Sequence, residues 1–186
     1  MEKLKTYLVG SIQDANDGGV SWRDKLTKSL TEMHFEILDP CKMEVNHSLA
    51  PTIEEQKKKL QNLKRSGEWD RWDKTLLAIQ KSDITCVNMS EFLIVLYDHT
   101  KHLGGTIEEI VEAHHKHIPM YVVSYSSYME FNDWTLARIR QNFKTGGKLF
   151  HNFRQLTSHI EVTYESYIQK YTDYLTSLKV TAGTTK

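Results

Sequence analysis

Cysteine is scarce in this chain: Cys41 and Cys86 are the only two in 186 residues, far apart and in no metal-ligand spacing. That excludes a disulfide framework or a cysteine zinc site and points to a reduced, cytoplasmic setting with both thiols buried and inert. Neither sign of charge is in excess, 24 Lys plus Arg facing 24 Asp plus Glu. The global attraction to phosphate polymers shown by nucleic-acid binders is therefore missing, and no nucleic-acid polymer is expected as partner. No apolar run approaches the roughly 20 residues that cross a bilayer, and MEKLKTYLVG leads straight into a strand without the apolar core of a signal peptide, so no membrane partner is expected. Internal repeats and low-complexity linkers are absent too. The pairs Gly18-Gly19 and Gly104-Gly105 fit neither the dinucleotide fingerprint nor the P-loop, and no Ser/His/Asp or Cys/His nucleophile signature is present. His99 with His102, and His114, His115 and His117, lack the spacing of a zinc protease and read better as surface and helix-end residues. Neither metal nor cofactor is expected.

What is present is a composition of 39% hydrophobic and 26% charged residues, which suits one folded domain, read as residues 1–180 with a frayed tail at 181–186. Lys5 to Gly10 is a short β-favouring run ending at glycine. After a turn-rich loop, Ser21 stands as a helix N-cap with Asp24 in the capping-box slot, and Trp22, Leu26, Leu30 and Met33 follow at helical spacing. Phe35 to Leu38 is a second strand stopped by Asp39-Pro40. Pro51, Glu54 and Glu55 suit the start of a charged helix that could act as a lid, and Trp69 to Val87 forms one helix, or two with a break near Ser82-Asp83. Phe92 to Tyr97 is apolar at every position. Continuous hydrophobicity means burial on both faces, hence a parallel sheet covered by helices. Further strands are expected at Pro119 to Val123 and around Lys148 to Phe150, with helices near Asp133 to Phe143, through Leu156, and from about Tyr164 to Leu178. The alternation predicts an α/β fold, a doubly wound parallel five-stranded sheet in a flavodoxin-like or Rossmann-like three-layer sandwich.

In such a sheet ligands bind beyond the carboxyl ends of the strands. The stretch LYDHTKHLGGTIEEIVEAHHKHIPMYVV places Asp98, Gly104, Gly105 and Thr106 there. Helical spacing puts Ile107, Ile110 and Val111 on the core side and Glu108 with Glu112 on an exposed stripe. Glu109 has two readings. Either it completes a capping box with Thr106 as N-cap, or it projects a carboxylate into the crevice. Asp83 is likewise either a surface acid or a second carboxylate of that crevice. Two converging carboxylates would suit cleavage of a glycosidic bond. The aromatic run Tyr125, Tyr128, Phe131 and Trp134 reads as core or as a platform for a base.

Four blocks taken together, YLVGSIQDANDGGVSWRDKL, ILDP, DITCVNMSEFLIVLYD and GGTIEEIVEAHHKHIPMYVV, resemble the nucleoside 2-deoxyribosyltransferase family in its broader branch, which includes phage-borne members and nucleotide N-glycosidases. The resemblance spans about Lys5 to Val123. It implies that Glu109 is the nucleophile attacking the anomeric carbon, that Tyr7 orients it, and that Asp83, 26 residues upstream, helps bind and protonate the departing base. It further implies substrate contacts from Gly10, Ser11, Ile12, Asp17, Gly19, Trp22 and Arg23, from Gly104, Gly105 and Thr106, and from Asn132. A phosphate would be received by the loop Ser11 to Gly19 at the helix start. The chain departs from the family where Leu103 replaces an aspartate that holds sugar hydroxyls, leaving Asp98 as the candidate for that contact, and where Ser90-Glu91 replaces Ser-Asp. Substrates implied are a nucleoside or nucleotide and a free nucleobase, with transfer or hydrolysis as outcome. A homo-oligomer is also implied, with Tyr125 to Trp134 as the crossing segment. The rival expectation is a nucleotide-binding or sensing module without turnover.

Overall fold

The structure, a computed structural model, describes residues 1–12, 15–43, 50 and 52–183, the last four as backbone only. Its five strands are β1 (Lys5–Gly10), β2 (Glu36–Leu38), β3 (Phe92–Leu96), β4 (Met120–Val123) and β5 (Lys148–Phe150). All are parallel, in the order β2-β1-β3-β4-β5. The helices are α1 (Val20–Glu32), α2 (Ile53–Arg65), α3 (Trp69–Asn88), α4 (Gly104–His115), α5 (Asp133–Asn142), α6 (Phe153–Thr163) and α7 (Glu165–Gly183). This is the expected doubly wound, flavodoxin-like or Rossmann-like three-layer sandwich. Among the described residues no helix is long and apolar enough to cross a membrane.

The pleat sorts the apolar residues into two cores. Tyr7 and Val9 of β1, Leu93 and Val95 of β3, and Met120 and Val122 of β4 point to one face, where Cys86 and Val87 of α3, Ile110 and Ala113 of α4 and Ile139 of α5 meet them. Leu8, Phe92, Ile94, Tyr121 and Val123 point to the other, against Leu26 and Leu30 of α1 and Leu156 and Ile160 of α6. Successive side chains of a strand alternate between faces, so a strand buried on both must be apolar throughout, as FLIVL is. Asn142, 1% exposed, ties α5 to the sheet: its Oδ1 accepts from Met120 N at 2.7 Å and its Nδ2 donates to Ile118 O at 2.8 Å.

Several local expectations are corrected. Ser21 is not the N-cap of α1; the helix starts at Val20, after Gly18 and Gly19 in the left-handed region (φ 67° and 73°). That turn swings the Asp17 carboxylate over the helix end, where it accepts from Gly19 N and Ser21 N at 2.9 Å and from the Ser21 hydroxyl. Asp24 pairs with Lys42 instead of closing a capping box. The box falls at α2, where Thr52 and Glu55 cap each other with Glu54 beside them; Pro51 lies outside the described residues. α3 is continuous through Ser82-Asp83. Phe35 precedes β2 and Pro119 precedes β4. α7 continues to Gly183, into the stretch expected to fray, while 184–186 lie outside the described residues.

Candidate active site

The strand order reverses between β1 and β3, and the cleft beyond their carboxyl ends is where such folds receive ligands. The buried edge of α4 faces this region. Its inward positions are Thr106, Glu109, Ile110 and Ala113, whereas Ile107, expected inside, is 37% exposed. The capping reading of Glu109 is overturned as well. The helix begins at Gly104 with Leu103 before it, no side chain caps it, and Thr106 is already in its first turn. The Glu109 side chain instead passes under β1, where the Tyr7 hydroxyl donates to its Oε1 at 2.8 Å. Tyr7 is fully buried and Glu109 is 8% exposed.

Asp83 comes to the same place from α3. Its charge raises the pKa of both Tyr7 and Glu109, while its own Oδ1 is buried with no hydrogen-bond partner among the described residues. An orphaned carboxylate oxygen beside a second buried carboxylate is costly and calls for an explanation. Burial, then repulsion from Asp83, push Glu109 up to about 8, against the lowering effect of the Tyr7 bond and of the more distant Arg23. Burial likewise raises Asp83 to about 6. Tyr7 is itself raised well above its ordinary value, first by burial and then by the two carboxylates. The three groups therefore form one coupled unit that retains a proton near neutrality. Burial pushes the neighbouring Cys86 thiol to about 11, so it is an inert wall of the site.

The described residues around the first loop are held by internal bonds. Gly10 ends β1 where a Cβ would meet the Trp22 ring at 3.1 Å and Leu96 O at 3.3 Å, so a glycine is needed for the close approach. Ser11 is half-buried, its Oγ without a hydrogen-bond partner among the described residues; Ile12 is half-buried. Trp22 stacks on Phe153, centroids 5.5 Å apart. Arg23, expected to reach a ligand, turns inward and is fully buried. The helix start expected to receive a phosphate already holds the Asp17 carboxylate, whose bonds to the Ser21 hydroxyl and amide lower it to about 2. α2 leans over this loop: Lys57 donates to Ala15 O at 3.2 Å, and a Cβ on Gly18 would strike Ile53.

Other expected contacts have local employment. Asp98 accepts from the Thr100 amide at 3.0 Å and from its hydroxyl at 2.6 Å, which lowers its pKa against the opposing effect of burial. Asn132 caps α5 through Trp134 N and Thr135 N. Gly104 and Gly105 are exposed, with open space where a side chain would stand, and Leu103 is buried in the core beside Tyr7 and Tyr97. Of the histidines, His114 and His115 occupy the last turn of α4 and His99 pairs with Ser126 Oγ at 2.9 Å. Sequence reasoning missed Asp39, 6% exposed, which accepts from Cys41 N and lies 3.7 Å from Arg23 Nε. Its position at the carboxyl end of β2, one strand over from Gly10, was the available signal.

Fold and site together define a doubly wound α/β protein in which buried Tyr7 and Glu109 and half-buried Asp83 gather near the sheet's switch point. Compared with models of known families and with curated proteins, the chain matches none.

Proposed function

We propose that the protein cleaves the N-glycosidic bond of nucleosides, in the manner of the nucleoside 2-deoxyribosyltransferases it resembles in sequence. The observation that carries this reading is the buried Tyr7 to Glu109 hydrogen bond beside Asp83, whose Oδ1 is buried with no partner among the described residues. Residues far apart in sequence meet there, and they are the three that the resemblance selects.

In the proposed reaction a Glu109 oxygen attacks the anomeric carbon and the carbon–nitrogen bond breaks, its electrons passing to the base, which takes a proton from Asp83. The resulting glycosyl ester is opened by a second base, completing a transfer, or by water, completing a hydrolysis. The chemistry requires an ionised Glu109 and a protonated Asp83. In the free site burial raises both carboxyls, and the repulsion of Asp83 adds to this at Glu109, so the pair retains a proton near neutrality. The Tyr7 hydroxyl donates to Glu109 Oε1, which favours the ionised nucleophile over the protonated one. A base docked at Asp83 stabilises the protonated acid by accepting its hydrogen bond, which leaves Glu109 as the ionised partner. Binding thereby arms the nucleophile.

A free nucleoside is favoured over a 5′-monophosphate, because Asp17 fills the helix terminus that would take the phosphate and Arg23 faces inward. A nucleotide-sensing module without turnover is the second reading, favoured by Leu103, which offers a sugar hydroxyl no acceptor. For the oligomer, we place the crossing contact at Tyr125 to Trp134, where Tyr125, Met129 and Trp134 are 70%, 91% and 79% exposed.

Incubation with deoxynucleosides and a second base, followed by chromatography, tests the proposal. Released or exchanged base is expected, and Glu109→Ala must abolish it. Binding without release by the wild-type protein would establish the sensing module, and turnover by Glu109→Ala would remove Glu109 as nucleophile.

A further inference from the structure

Among the described residues Arg23 is the largest fully buried side chain, and no substrate-facing role accounts for it. Its guanidinium is spent on the backbone: Nη2 donates to Gly10 O at 2.8 Å, Nη1 to Gly19 O at 3.0 Å, and Nε to Leu8 O at 3.4 Å. Asp39 lies 3.7 Å from Nε, and the face of Trp22 covers the group, 4.5 Å from its centroid. Leu8 and Gly10 lie in β1 on either side of Val9, two positions from Tyr7, and Gly19 opens α1 at the far end of the candidate substrate loop. One side chain thus ties the start of α1 to the strand that carries Tyr7. A planar cation with five donors can do this; an ammonium, with one nitrogen, cannot span three carbonyls.

We propose that Arg23 is a positioning residue of the Glu-Tyr-Asp site: it clamps the start of α1 at Gly19 to the carboxyl end of β1 and supplies the positive field in which the two carboxylates sit. Its charge is not spent on Asp39 alone. Across β1 lie Asp83 on α3 and Glu109 with Glu108 on α4, and Arg23 acts to hold both Asp83 and Glu109 toward ionisation. On its own side Cys41 is next to Asp39, Lys42 is divided between Asp39 and Asp24, and Asp17 is engaged by Ser21. A fully buried cation costs several kcal/mol to desolvate unless its surroundings are built for it. Here four oxygen partners and an aromatic face are built for it, at the place where a pair of buried carboxylates needs a counter-charge.

This inference rests on the proposed reading of Glu109 and Asp83 for its catalytic meaning, but it can be tested without turnover. Uniform labelling with carboxyl-13C glutamate, with the Glu109 signal identified by its loss in Glu109→Gln, follows the titration directly. In Arg23→Met the Glu109 midpoint is expected to move alkaline by about one pH unit or more. In Arg23→Lys, which keeps the charge and loses the clamp, the midpoint is expected to stay near the wild-type value. Hydrogen exchange of the Gly19 and Ser21 amides is expected to rise at least tenfold, and kcat/KM for a deoxynucleoside to fall by a similar factor. An unmoved midpoint in Arg23→Met overturns the field; unchanged exchange in Arg23→Lys overturns the clamp, and this variant decides the clamp even if Arg23→Met does not fold. A KM increase confined to 5′-monophosphates, with an unmoved midpoint, would show Arg23 to be a phosphate contact. If the wild type releases no base from any nucleoside, the titration and exchange results still decide the role of Arg23, and only the catalytic reading fails.

Discussion

Replacing Glu109 by Gln is expected to stabilise the protein in alkaline solution while removing its activity. In the unfolded chain the carboxyl ionises near 4.5; in the folded protein burial and Asp83 raise this to about 8. A raised carboxyl pKa means that the folded state holds its proton more tightly than the unfolded chain. The contribution is fully present below about pH 4.5 and is lost as the pH rises toward 8, since folding must then place an anion in a dry site. A tenfold change in proton affinity corresponds to about 1.4 kcal/mol, so the full loss is roughly 3–5 kcal/mol once partial relaxation around the coupled Asp83 is allowed for. Glutamine is close in shape, carries no charge, and still accepts the Tyr7 hydroxyl through its amide oxygen. The two proteins should therefore match within about 1 kcal/mol at pH 4.5 and separate by roughly 3–5 kcal/mol at pH 9. Urea unfolding at a series of pH values measures the gap, and a Tm scan should show roughly 2–4 °C per kcal/mol for a chain of this size. A variant that is less stable at every pH, or a gap that does not widen with pH, would refute the burial of an ionisable Glu109 beside Asp83 and with it the electrostatic account of the site.

Asp83→Asn removes the repulsion that is the second cause of the raised Glu109 affinity, so the alkaline loss of stability should be smaller and level off at a lower pH, and base release should slow by about 10²–10⁴-fold where the leaving base needs protonation. Nucleosides with an intrinsically good leaving group should lose far less, and equal losses for both would deny Asp83 the role of acid. Asn142→Ala strands the buried Met120 amide and frees Ile118 O, at a cost of about 2–4 kcal/mol in urea unfolding; a cost below about 1 kcal/mol would mean that β4 does not depend on this side chain.

Periodicity and composition are enough for the architecture. An apolar strand such as Phe92 to Leu96 can be satisfied only between two helical layers, and parallel strands require the helical crossovers whose spacing the chain displays. Element ends are less legible, because they turn on backbone conformation: the left-handed pair Gly18-Gly19 hands the capping of α1 to Asp17 instead of Ser21. At Glu109 the spacing from Thr106 permits a capping box as readily as a buried carboxylate, and the sequence alone does not choose between them. Tertiary structure does, by starting the helix at Gly104 and bringing Tyr7, 102 residues away in the chain, within 2.8 Å. Arg23 shows the same division. Its place in the first turn of α1, just after the loop expected to receive a phosphate, suggests a substrate contact, since a side chain's chemistry is legible in sequence. The direction it points is decided by the carbonyls of Leu8, Gly10 and Gly19 and by the carboxylate of Asp39, groups that converge only when β1, β2 and α1 have packed. Local pattern determines which segments become strands and helices because it reflects their own burial; the proton affinities and partners of buried charges depend on neighbours that only the folded chain assembles.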